Sequence, residues 1–182
     1  MRWILFIILV YVAVVVQTTL GALLAIHSDW VGVIAPDLLA ILAVFIALAL
    51  RNVADAALAC LVLGLGLDLA SGPGSGSVVG PMALAYAGGG FLVFQFREIF
   101  FREKILSQVI LVLVFALLTH VTWVTLQAVI SGFDTTWDIY GQRLLEAVLL
   151  AVYSAALAPV LHTGLIRYER LLIPNSGRGR NR

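Results

Sequence analysis

Residues 36–70 read PDLLAILAVFIALALRNVADAALACLVLGLGLDLA. Two apolar runs, 36–50 and 53–70, are hinged on Arg51 and Asn52. Neither run alternates polar and apolar residues, as exposed strands of a membrane barrel would over about ten positions. Segments this apolar are expected to be helical, because hydrocarbon satisfies no free backbone N–H or C=O. The stretch therefore reads as a helical hairpin in a membrane, and the rest of the chain repeats the pattern. Further apolar segments run over 3–26, 78–96, 105–130 and 144–166. The segment 36–50 is short for a span of about 20 residues. The apolar stretch Val31–Ala35 before it is expected at the membrane interface. Pro159 predicts a kink near the inner end of the sixth segment.

The totals agree. The 182 residues are 62% hydrophobic and 12% charged, against roughly 45–50% and about 25% in soluble domains. The expectation is an all-α integral membrane protein, a bundle of six transmembrane helices forming one domain over 1–170. A basic tail, 171–182, follows it. That tail ends NSGRGRNR and has the composition of a disordered segment that attracts anionic lipid. Arg2 precedes an apolar run too long for a cleavable signal, so an uncleaved first helix is expected. Cys60 is the only cysteine and lies in an apolar run, where a small packing role is expected. No basic face interleaved with aromatics suggests nucleic acid.

Basic residues collect on the cytoplasmic side of membrane proteins. With the N-terminus inside, Arg2, Arg51, Arg97, Arg102, Lys104, Arg167, Arg170, Arg178, Arg180 and Arg182 are all cytoplasmic, and only Arg143 lies outside. The reading is a multi-pass protein of the bacterial inner membrane with both ends in the cytoplasm. The loop SGPGSGS at 71–77 is rich in turn residues. It lacks the lysine that a phosphate-cradling loop requires.

Ionisable groups inside a bilayer need a reason. Asp37 follows Pro36 at a helix start, where a proline and an acid are both favoured. Asn52 and Asp55 have the spacing of a capping box. Asp68 stands at a helix C-terminal end, where the dipole disfavours a carboxylate, so it needs a donor, water or a proton. At about 1.5 Å per residue, Asp68 and His120 lie about 24 Å above the basic ends of their helices, with Gln17 close by. Gln17, Asp68 and His120 are thus expected to share a polar layer, His120 with Thr119 or Thr122 as neighbours. Small residues recur four apart at Ala56, Cys60, Gly64 and Asp68, and at Ala13, Gln17, Gly21 and Ala25. Ala147, Ala151, Ala155, Ala158 and His162 line another face. Such faces let helices approach closely, within the bundle or against a partner. Nothing has metal-ligand spacing or a hydrolase elbow, and no cofactor is implied.

The stretches Pro36-Asp37-Leu38-Leu39-Ala40-Ile41-Leu42-Ala43-Val44-Phe45, Gly64-Leu65-Gly66-Leu67-Asp68-Leu69-Ala70-Ser71-Gly72 and Gly80-Pro81-Met82-Ala83-Leu84 resemble the bacterial rod shape-determining protein MreD family. The loop 71–80 looks slightly longer than usual, and Pro81-Met82 is atypical. The resemblance implies a non-enzymatic subunit of the cell-elongation complex. Its partners would be an MreC-like single-span protein, the RodA polymerase, a penicillin-binding transpeptidase and MreB filaments. It implies a fold related to the substrate-binding subunits of energy-coupling-factor transporters. It singles out Pro36, Asp37, Gly64, Asp68, Ser71 and Gly72 as residues that shape the bundle or its partner face. Two other classes stay open. One is a transporter subunit, with a ligand cavity lined by Asp37, Asp68 and His120 and an alanine face docking a transport module. The other is a membrane hydrolase or lipid-modifying enzyme.

Overall fold

A computed structural model of the chain describes residues 3–28, 32–70, 79–97, 105–130 and 137–172. Six helices appear among them: α1 (Trp3–Leu23), α2 (Leu38–Ala49), α3 (Val53–Ala70), α4 (Pro81–Phe96), α5 (Ile105–Ile130) and α6 (Trp137–Leu172). Between α1 and α2 lies a small antiparallel hairpin, β1 (Ile26–Ser28) and β2 (Gly32–Ile34), with His27 opposite Val33.

α2 is the axis. It packs against α1, α3, α4, α5 and α6, and its residues Leu39–Leu48 are buried without interruption. That explains both its composition and its length. A helix apolar all round must be covered all round. At about 1.5 Å per residue it is about 18 Å long, against roughly 30 Å of hydrocarbon. A helix that touches only protein need not match the bilayer.

The six expected helices are present, and the second is short as its sequence predicts. Four helices are long and apolar enough to cross a membrane, while α2 and α4 are shorter. The ends differ as well. α1 stops at Leu23 instead of residue 26, and the chain then turns through the hairpin, which the apolar pattern did not reveal. α2 begins after Pro36, because Asp37 has extended geometry and caps the helix. α4 begins at Pro81 instead of residue 78, since Gly80 has φ 124°, a left-handed value that breaks the helix before it starts. α6 extends beyond 144–166 at both ends and runs on through Pro159.

α3 and α4 pack closest, through small residues. A Cβ on Gly64 would lie 2.7 Å from the Met82 carbonyl oxygen and 2.8 Å from Ala83 Cα. Gly90 lies directly against Cys60 Sγ. The small faces of Ala56, Cys60 and Gly64 on α3, and of Ala147, Ala151, Ala155 and Ala158 on α6, are buried inside the bundle. Arg97, at the end of α4, donates from Nη1 to the Leu50 carbonyl (2.9 Å), closing the C-terminus of α2. Its guanidinium also sits 3.9 Å above the Phe94 ring.

Candidate functional site

The short axis helix creates a problem that the site solves. α2 starts well inside the bundle, so the turn Pro36–Asp37–Leu38 carries backbone polar groups where water is scarce. Each such group must find a protein partner or cost about 1–3 kcal/mol.

Three of them find side chains of other helices. The Asp37 N–H donates to Ser154 Oγ of α6 (2.8 Å). The Leu38 N–H donates to Gln17 Oε1 of α1 (2.7 Å), and Gln17 Nε2 donates to the Pro36 carbonyl (3.0 Å). One side-chain amide thus clamps both sides of Asp37. Asp37 Oδ1 accepts from the Ala40 N–H (2.9 Å), the usual bond of a helix cap. Asp37 Oδ2 accepts from the Tyr86 hydroxyl of α4. Tyr86 is held edge-on against Phe115, with ring centroids 5.2 Å apart and planes at 85°.

His120 of α5 completes the ring. Its Nδ1 lies 2.9 Å from the Ala116 carbonyl. A carbonyl only accepts, so Nδ1 carries the proton there. Thr119, 3.5 Å from Nδ1, donates instead to the carbonyls of Phe115 and Ala116. His120 Nε2 points at Asp37 Oδ2 at 3.6 Å, beyond hydrogen-bond length. Asp37, 2% exposed, is therefore the point where side chains of α1, α4, α5 and α6 converge on α2.

Asp68 does the same for the other short helix. From the last turn of α3, its Oδ2 accepts the N–H of Gly80 (2.9 Å) and of Ala83 (3.2 Å). A carboxylate that α3's own dipole opposes is thus held by the positive end of α4. The N-terminus of α4 has no side-chain cap of its own. Asn52, by contrast, caps locally, its Oδ1 accepting the Ala54 N–H (3.2 Å).

A cavity of about 270 Å³ adjoins these groups, lined by Gln17, Asp37, Asp68, Met82, His120 and Trp123, with Val33 and Ala35 of the hairpin segment. A second cavity of about 290 Å³ shares the His120, Trp123, Val33 and Leu150 walls and reaches Gln142, Arg143 and Glu146. Among the described residues, no three His, Cys, Asp or Glu side chains converge as a metal would require.

Of the sequence candidates, Gln17, Pro36, Asp37 and His120 come together at one turn. Gln17, Asp68 and His120 do line one cavity, but Asp68 bonds to α4 while the other two serve Asp37. Gly64 lies under Met82, Ala83 and Tyr86. Ser71 and Gly72 fall outside the described residues, as does the His162 side chain. Tyr86 and Ser154 were not anticipated. Each is a polar group within an apolar stretch of helix, which itself signals a need for a partner.

A protein-family model described as rod shape-determining protein MreD matches residues 1–165. No curated protein and no solved structure gives a match.

Proposed function

Since the chain belongs to the rod shape-determining protein MreD family, we propose that it is a non-enzymatic scaffold subunit of the bacterial cell-elongation complex. It sits in the inner membrane with both ends in the cytoplasm. It binds an MreC-like single-span protein and supports lateral-wall peptidoglycan synthesis together with the RodA polymerase, a penicillin-binding transpeptidase and MreB filaments. The observation that carries this is the family match over 165 of 182 residues.

The chemistry of the site supports it. Asp37 Oδ1 and Asp68 Oδ2 each cap a helix N-terminus, which supports a rigid bundle over a reactive centre. The docking surface is α1, the least covered of the four long helices, with Ile4, Ile7, Tyr11 and Leu23 all more than half exposed. A partner helix laid there gains dispersion contacts without displacing any bond of the site. The small faces of α3 and α6, the first surfaces the sequence offers for a partner, are already used internally.

The kinship with transporter substrate-binding subunits is part of this reading, supported by six helices around a cavity. A transport function is not favoured by the same observation. The alanine face that would dock a transport module is covered, Ala151 being 0% and Ala158 1% exposed.

Depletion in a rod-shaped host tests the reading. Cells are expected to round and lose lateral-wall synthesis, with both restored by re-expression. A depleted strain that keeps its rod shape and its lateral incorporation of wall precursor sinks the proposal. In the same cells, a cross-linker placed at Tyr11 is expected to capture the single-span partner.

A further inference from the structure

The two adjoining cavities differ in their charged linings. Among the described residues, the ionisable groups lining the first are Asp37, Asp68 and His120, and none is a lysine or arginine. Asp68 takes both of its backbone bonds on Oδ2, so Oδ1 carries neither. His120 is 7% exposed, and its Nδ1 proton is committed to Ala116. His120 Nε2 lies 3.6 Å from Asp37 Oδ2, beyond hydrogen-bond length, so these two atoms do not bond to each other. Trp123 forms part of both walls, and an indole face attracts a cation. Arg143 lines the second cavity together with Glu146 and offers guanidinium donors to an anionic group.

We propose that this double cavity binds a zwitterionic head whose primary ammonium sits between Asp37, Asp68, His120 and Trp123 and whose anionic group lies toward Arg143. A primary ammonium brings three N–H donors to a wall of acceptors. Phosphoethanolamine has this chemistry, either free or as the headgroup of phosphatidylethanolamine. The proposal stands apart from the rod-complex reading, because binding is measured on the isolated protein and needs no partner.

The full chain, purified into phosphatidylcholine nanodiscs, is melted with and without millimolar phosphoethanolamine. In a second arm it is melted in nanodiscs containing phosphatidylethanolamine. A saturable rise in Tm is expected in at least one arm, and phosphocholine, which has no N–H donor, produces none. A rise in the first arm identifies the free molecule as a ligand, and a rise in the second alone identifies the lipid. Asp68→Asn keeps an oxygen for the α4 cap but removes the charge, so the midpoint concentration is expected to rise at least tenfold. Val33→Trp, at a residue 59% exposed on the hairpin, fills the shared wall and abolishes the shift. Should Asp68→Asn fail to fold, Val33→Trp decides alone. Equal responses to primary and quaternary amines, no response in either arm, or an unchanged response in Val33→Trp would overturn the proposal.

Discussion

Gln17 spends both ends of one amide on a single turn of another helix, accepting from the Leu38 N–H and donating to the Pro36 carbonyl. Gln17→Leu leaves both backbone groups orphaned, and each costs about 1–3 kcal/mol. Gln17→Glu keeps the acceptor and loses the donor. The expected order of stability is wild type, then Gln17→Glu, then Gln17→Leu, read as unfolding midpoints in denaturant titrations of the nanodisc-embedded protein. Asp68→Ala removes the cap of α4 at about 0.5–2 kcal/mol, whereas Asp68→Asn retains most of it. Equal losses for the two Asp68 variants would mean that charge, not capping, holds α4. At this scale the sequence was partly legible. The place of Asp37 follows from the Pro-Asp pair at a helix start, and the need of Asp68 for a donor follows from the helix dipole. Their partners did not follow. Ser154 lies 117 residues from Asp37 and Tyr86 lies 49 away, and no local pattern encodes such a distance. Equal heights along the helices placed Gln17, Asp68 and His120 in one layer. Height alone cannot say which way a side chain turns, and two of the three turn to Asp37.

The elements show why small residues matter at some positions and not at others. Gly64 and Gly88 both lie in the paired helices α3 and α4. A methyl group on Gly64 collides with the backbone of Met82 and Ala83, while one on Gly88 meets nothing within 4 Å. Gly64→Ala is expected to destabilise by about 1–3 kcal/mol. Gly88→Ala is expected to stabilise by about 0.5–1 kcal/mol through helix propensity. Unfolding measurements on the pair in one background check both signs. The long helices were legible as apolar runs, and α3 and α5 match their runs end to end. The hairpin at 26–34 was not, because three-residue strands leave no periodicity to read. Nor was the centrality of α2. An apolar helix inside protein and one inside lipid have the same composition, and only the shortness of 36–50 hinted at the difference.

For the whole molecule, the basic residues and the bundle can be tested together. Arg51 and His27 are exposed at opposite ends of the path through α2. Cys60 is fully buried, its Sγ 3.8 Å from the Ala43 carbonyl, so the natural chain is a quiet background for thiol labelling. Arg51→Cys is expected to react only from the cytoplasm and His27→Cys only from outside, assayed with an impermeant maleimide on intact cells and on inverted vesicles. Labelling of both from one side would overturn the proposed orientation.

The bond from Asp37 to Ser154 also has a temporal meaning. Ser154 belongs to α6, and the turn it satisfies is made more than a hundred residues earlier in synthesis. Until α6 arrives, the start of α2 holds an amide proton with no acceptor, on a segment too brief to rest stably among acyl chains. The start of α2 therefore needs shelter from the insertion machinery until α6 has emerged. A product cut short before residue 154 exposes an unmatched polar end within the bilayer, the kind of flaw that membrane proteases detect.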